Sequence, residues 1–139
     1  MKKVFLLASL FMMLYSNVLL AQPDDHKIIF QFTNAVDTMQ QKAFVNQLKN
    51  VTAYWPDAQI EVVVYNQGVE LVMPAKSKHL EAIKKLIEHG VRFVVCENTM
   101  KQRNIGKAEF IPEVEYTPAG IVELVQQQER GWIYIKGGF

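Results

Sequence analysis

Cys96 is the single cysteine among 139 residues and the one strong nucleophile in the chain. Its chemistry depends on how much of it is thiolate. A free thiol with a pKa of about 8.5 is only a few per cent ionised at pH 7, whereas a value near ~7 makes about half of it reactive. The following residues, Glu97-Asn98-Thr99-Met100-Lys101-Gln102-Arg103, bear on that balance. If Asn98 or Thr99 opens a helix, the positive end of its dipole lies close to the sulfur. Lys101 and Arg103 add favourable charge, and Glu97 opposes it. Two readings follow from residue type and position: a thiol tuned for reaction, or a small buried apolar residue at a strand end, a common use of cysteine. One cysteine excludes an intramolecular disulfide, so stability must come from packing.

Other chemistries find little support. There is no Ser-His-Asp arrangement, no paired catalytic carboxylates and no Cys-x-x-Cys. His26, His79 and His89 are scattered, and no metal site is expected. No Gly-x-Gly-x-x-Gly follows the first strand, and the stretch 33–38 lacks glycine, so neither nucleotide nor flavin nor any other cofactor is expected. Gly137-Gly138 has the look of a thiocarboxylate carrier tail, but Phe139 covers the end. A flexible terminus is the expectation there. Trp55, Trp132 and the phenylalanines fall in apolar patterns and read as core or subunit interface.

The elements that position Cys96 can be read from periodicity. Strands are expected at 27–33, 59–65, 91–95 and 132–135, the second of them β-branched and apolar as in a sheet covered on both faces. A fourth, at 110–115, carries Pro112. A helix over 38–54 is capped by Asp37 or Thr38 and turns Phe44, Leu48 and Val51 inward. Asn66-Gln67-Gly68 breaks the second strand, and 69–73 is a short apolar segment. A helix over 78–89, capped by Ser77 and ended by Gly90, buries Leu80, Ile83 and Ile87. A short helix is expected within 97–106. Another, over 118–129, is capped by Thr117, with Ile121, Leu124 and Val125 inward and Gly131 at its end. This alternation predicts a three-layer α/β/α fold with a five-stranded, mostly parallel sheet, flavodoxin-like in general layout. Ligands in such sheets collect beyond the carboxyl ends of the strands, an edge formed here by Thr33-Asn34, Asn66-Gln67 and Cys96 to Thr99.

Met1-Lys2-Lys3, an apolar run and Ala21 before Gln22-Pro23 have the layout of a secretory signal peptide, with cleavage expected after Ala21. The alternative is a retained anchor, but the unbroken apolar core falls short of the ~20 residues a spanning helix needs. Removing 21 of 139 residues leaves 118, and loss of Lys2 and Lys3 leaves 13 basic against 14 acidic residues. The mature chain, 22–139, is thus one domain of formal charge −1. Near-neutral charge without a basic block argues against nucleic acid as a partner, and no membrane association is expected after cleavage.

Val94-Val95-Cys96-Glu97-Asn98-Thr99-Met100, followed by Arg103-Asn104-Ile105, resembles the strand-Cys-x-x-Thr-Met pattern of the DsrE/DsrF-like family. Glu61 to Leu71, Thr117 to Leu124 and Gln128 to Lys136 resemble it in the same order, so the likeness spans the whole mature domain. It implies a five-stranded parallel sheet between helices, assembled as a homotrimer or homohexamer. In the sulfur-relay members, a cysteine after the third strand carries a persulfide and passes sulfur on. Cys96 occupies that position, with Asn66, Asn98, Thr99 and Arg103 as the expected lining of the binding site. The implied partners are thiol-bearing sulfur donor or acceptor proteins. Those relay members work in the cytoplasm, whereas this chain carries the pattern of an exported, periplasmic protein. The competing expectation is a non-enzymatic oligomeric module that binds a small ligand or protein and uses Cys96 structurally.

Overall fold

The computed structural model describes residues 25–139. The expected signal segment 1–21 and its cleavage point lie outside the described residues. In chain order the elements are β1 (Lys27–Phe32), α1 (Thr38–Tyr54), β2 (Gln59–Val64), a 3₁₀ helix (Asn66–Val72), α2 (Leu80–Glu88), β3 (Arg92–Cys96) and α3 (Glu97–Arg103). A short 3₁₀ turn (Lys107–Glu109), β4 (Glu115–Thr117), α4 (Gly120–Glu129) and β5 (Ile133–Lys136) complete the chain. The strands lie in the order β4-β3-β2-β1-β5, and every pairing is parallel.

That order dictates the layering. From β1 to β4 each new strand is added in the same direction, and right-handed crossovers put the intervening helices on one face. The step from β4 to β5 reverses direction, so α4, alone among the described helices, lies on the opposite face. The packed face buries Ile28, Phe30 and Phe32 of β1, Ile60, Val62 and Val64 of β2, and Phe93 and Val95 of β3. They meet Phe44, Val45 and Leu48 of α1, Ile83 and Leu86 of α2, and Val69, Leu71 and Val72 of the 3₁₀ helix. The opposite face holds a much smaller cluster, Ile29, Val63 and Leu124, rimmed by Tyr65 and Trp132.

Helix α1 has the expected bounds, and Asp37 caps it by accepting the Met39 N–H at 2.8 Å. Other elements depart from expectation. The stretch 66–72 closes into a 3₁₀ helix rather than an irregular break, with Asn66 in the left-handed region at φ 52°. Helix α2 starts at Leu80, because Ser77 caps the turn before it and accepts the His79 N–H. It buries Leu86 more deeply than Ile87.

The fourth strand forms at Glu115–Thr117 instead of 110–115. Pro112 has no N–H for a ladder, and Phe110, Ile111 and Val114 enter the core from a loop. Thr117 therefore belongs to β4 and does not cap a helix; α4 begins at Gly120. Ile121 and Val125, expected inward, are 57% and 49% exposed, leaving Leu124 as the apolar contact of α4 with the sheet.

The expected flexible terminus is also corrected. Gln47 accepts the Gly138 N–H and donates to its carbonyl, both at 2.9 Å. Gln40 treats Phe139 the same way. A side chain on Gly137 would strike the Phe44 ring at 2.4 Å, so glycine there lets the tail lie flat on α1.

Candidate functional site

Cys96 is the last residue of β3 and the residue from which α3 starts. Its side chain points to the α4 face, where it is 5% exposed. The pleat puts it there: Val95 faces the packed side, so Val94 and Cys96 face the other. The sulfur accepts the Gly120 N–H at 3.2 Å. Gly120 is the first residue of α4, and neighbouring Ala119 supplies no side-chain cap. The sulfur thus takes a free amide at the positive end of a ten-residue helix. A β-carbon on Gly120 would come within 3.2 Å of Tyr65 and Val63 and 3.3 Å of the Cys96 Cβ, so the helix approaches this closely only with glycine.

Burial, the largest single influence, raises the thiol's pKa, but the hydrogen bonds from the Gly120 N–H, the Thr99 amide, the Thr99 hydroxyl and the Asn98 amide together outweigh it. The net result lies below the ordinary cysteine value. Thr99 is buried, and its Oγ1 accepts the Asn66 N–H at 3.0 Å, tying the end of β2 to the start of α3. Asn98 is exposed and donates its N–H to the Pro118 carbonyl, bracing the loop that leads to Gly120.

Among the sequence-derived lining residues, Thr99 and the Asn98 backbone therefore sit at the sulfur. Asn66 joins through its backbone, its side chain being exposed on the left-handed turn. Arg103 is directed elsewhere: its guanidinium donates to the Asn66 carbonyl at 2.9 Å and to Glu70 at 2.5 Å. It braces the turn after β2 and is not among the groups that shift the thiol. Lys101 is exposed, and Glu97 pairs with Lys107 at 3.4 Å.

Three residues escaped sequence reasoning as site members. Gly120 lay inside a stretch whose glycine read as ordinary helix sequence. Tyr65 continues the β2–β3 register one step beyond the Val64–Val95 pair, which sets it beside Cys96 on the same face. Gln31 of β1 donates to the Tyr65 hydroxyl and accepts from the Tyr134 hydroxyl of β5. Nothing in the linear sequence puts β5 next to β1.

Deeper under α4 lies Glu61, fully buried. Arg92 donates to its Oε2 at 2.9 Å and Gln127 at 3.2 Å, while Oε1 has no hydrogen-bond partner among the described residues. Burial pushes its pKa up to about 7; Arg92 opposes the shift, and Glu123 and Glu115 reinforce it. A single acidic residue in an otherwise apolar strand was the available signal. Among the described residues, no group of three or more His, Cys, Asp or Glu side chains is placed to hold a metal ion.

Comparison with known proteins agrees with this architecture. The sequence model of the DsrE/DsrF-like family matches residues 24–136. The protein of unknown function MTH1491 from Methanobacterium thermoautotrophicum superimposes with a TM-score of 0.75 at 26% identity, covering 81% of this chain and 99% of that one. The ychN protein from E. coli gives a TM-score of 0.64 at 16% identity over 80% of this chain and 98% of that one, a likeness of fold. A search of curated proteins found no match.

Proposed function

The chain belongs to the DsrE/DsrF-like family, and from that premise we propose that it handles sulfur through Cys96. The thiolate accepts a sulfane sulfur, holds it as a persulfide and passes it to a thiol on another protein. The observation that carries this reading is the Gly120 N–H directed at the Cys96 sulfur from the start of α4, in a setting that lowers the thiol's pKa. A cysteine serving only as packing has no need of an amide donor at a helix end. The signal-like segment 1–21 supports a periplasmic setting. Ile121, Val122 and Val125 leave an apolar strip exposed on α4, and Tyr134 and Ile133 do so on β5. Exposed apolar side chains on these two elements, which pack against each other, support assembly with copies of the same chain, as a trimer or hexamer.

The test is sulfur uptake from a persulfide donor, read as intact mass on folded mature protein. Wild type should gain sulfur and Cys96→Ser should gain none while keeping its fold. Equal uptake by the serine variant would end the proposal. One observation favours the second reading, a binding module with a structural cysteine: Cys96 as a whole is buried. Alkylation as a function of pH separates the two. Fast labelling of the folded protein supports sulfur handling, and labelling only after denaturation supports the module.

A further inference from the structure

The inward side of α4 carries more than the amide that meets the sulfur. Gly120, Glu123 and Gln127 follow one another at helical spacing and share one face of the helix. The Gly120 N–H donates to the Cys96 sulfur at 3.2 Å. Two turns further on, the Gln127 side-chain amide donates to Glu61 at 3.2 Å and to Glu123 at 2.8 Å. Glu123 also accepts the Thr117 hydroxyl at 3.2 Å. One face of one helix therefore joins the thiol to the buried carboxyl. We infer that Glu61 and Glu123 share a proton that seats α4 on the sheet, which makes them positioning residues for the Gly120 amide and so for the ionisation of Cys96.

The hydrogen bonds call for that proton. Glu61 is fully buried; its Oε2 accepts from Arg92 at 2.9 Å and from Gln127, while Oε1 has no donor among the described residues. The Glu123 carboxyl lies within hydrogen-bonding reach of Glu61. Two carboxylates so placed repel, and a proton between them turns the contact into a hydrogen bond. The charges agree. Among the described residues Arg92 is the one cation paired with this group, and Glu115 engages it with two bonds, at 2.8 and 2.6 Å. Three carboxyls around one guanidinium leave an excess of negative charge, which burial penalises. On the other side β1 offers Ile29, and Tyr134 of β5 is turned to Gln31. Burial holds the Glu61 pKa up at about 7 against Arg92, with Glu123 and Glu115 reinforcing it. At the thiol end, burial keeps Tyr65 of β2 neutral through this range, and Glu97 of α3 is paired with Lys107.

Loss of the shared proton to water sets two negative charges against each other between β2 and α4. Leu124 is the apolar side chain that holds α4 to the sheet, and the helix tilts away as a unit. Its first turn carries the Gly120 N–H off the sulfur, and the thiol then holds its own proton more tightly. The coupling is reciprocal: a Cys96 thiolate draws Gly120 in and favours the protonated pair.

The experiment titrates Cys96 by thiolate ultraviolet absorbance in the folded mature protein, with Cys96→Ser as the blank. In Glu61→Gln a side-chain amide replaces the shared proton as donor to Glu123 at every pH. Its thiol midpoint should fall by about one unit, the worth of one hydrogen bond to a charged acceptor. A direct effect of the Glu61 charge on the sulfur would give a similar fall, and a double-mutant cycle separates the two. With Gly120→Ala already displacing the amide, Glu61→Gln should shift the midpoint little. An unchanged midpoint in Glu61→Gln overturns the inference, and so does a full shift that survives in Gly120→Ala. Should Glu61→Gln fail to fold, Glu123→Gln removes the other half of the pair: a lowered midpoint supports the inference, and an unchanged one overturns it. The readout is thiol ionisation and not sulfur uptake, so this coupling and the sulfur-handling reading stand or fall separately.

Discussion

Along β2 the residues alternate between two different environments. Ile60, Val62 and Val64 turn into the cluster under α1 and α2, where neighbouring side chains are apolar and buried. Glu61, Val63 and Tyr65 turn toward α4, where they meet Arg92, Gln127, Leu124, Gly120 and Gln31. The first face is built for cohesion. The second carries a buried carboxyl, a phenol and the thiol under helix α4, which exposes Ile121, Val122 and Val125 beside Gln126, Gln128 and Glu129. A reactive group needs polar donors and an approach route, and both reduce the close packing that stabilises a core. Dividing these demands between two faces of one sheet lets a small domain meet both.

The most direct way to break this comparison is truncation on each face. Phe44 is fully buried, stacked on Phe32 at 4.4 Å and edge-on to Phe30 at 5.7 Å, and it also seats Gly137. Phe44→Ala should cost about 3–5 kcal/mol in urea unfolding. Leu124→Ala on the other face should cost only about 2 kcal/mol, because half-buried Tyr65 and Trp132 can collapse into the space. Equal losses would mean that the α4 face is as much a core as the first.

The next test uses pH. Glu61 has a raised pKa in the folded protein, about 7 against 4.5. Between those values the folded state binds more protons than the unfolded chain, so stability falls as pH rises through this window. The ceiling is about 3 kcal/mol, from 1.36 kcal/mol per pKa unit. Glu61→Gln removes the titrating group and should flatten the decline in urea midpoint between about pH 5 and pH 8. An unchanged decline in the variant would assign the effect to other groups.

The sequence made the first face easier to read than the second. Strand and helix periodicity reports burial against apolar neighbours, and it located β1, α1, β2 and β3 almost to the residue. Its failures cluster near α4. Ile121 and Val125 matched a helical apolar stripe, yet α4 is the one described helix on its face of the sheet and turns that stripe outward. Thr117 is a good helix cap by type, but pairing with Cys96 drew it into β4. The fourth strand was misplaced because Phe110, Ile111 and Val114 fill the core from a loop without forming a ladder. Cys96 and Thr99 were visible as a local pair. Gly120 reaches the sulfur, and Tyr65 the strand position beside Cys96, through strand order and register, which emerge only when the sheet assembles. Arg103 was legible as a charge near Cys96 in sequence, but its bonds to Asn66 and Glu70 fix it on the neighbouring turn.

The smallest expected stability effect bears most directly on how the second face serves the thiol. Gly120→Ala adds one β-carbon at 3.2–3.3 Å from Tyr65, Val63 and Cys96, tighter than ordinary contact with all three. Val63 is fully buried, so the strain is relieved mainly by α4 moving outward. The expected cost is about 1 kcal/mol, at the low end for overpacking. The chemical effect should exceed the structural one. Outward movement lengthens the Gly120 N–H to sulfur bond, the strongest influence opposing burial at Cys96. The thiol pKa should therefore rise, and alkylation at neutral pH should slow severalfold while the protein stays folded. A Gly120→Ala variant that alkylates with the wild-type pH profile would show that the α4 amide does not set the thiol's ionisation. The difference between the two faces would then be one of packing alone.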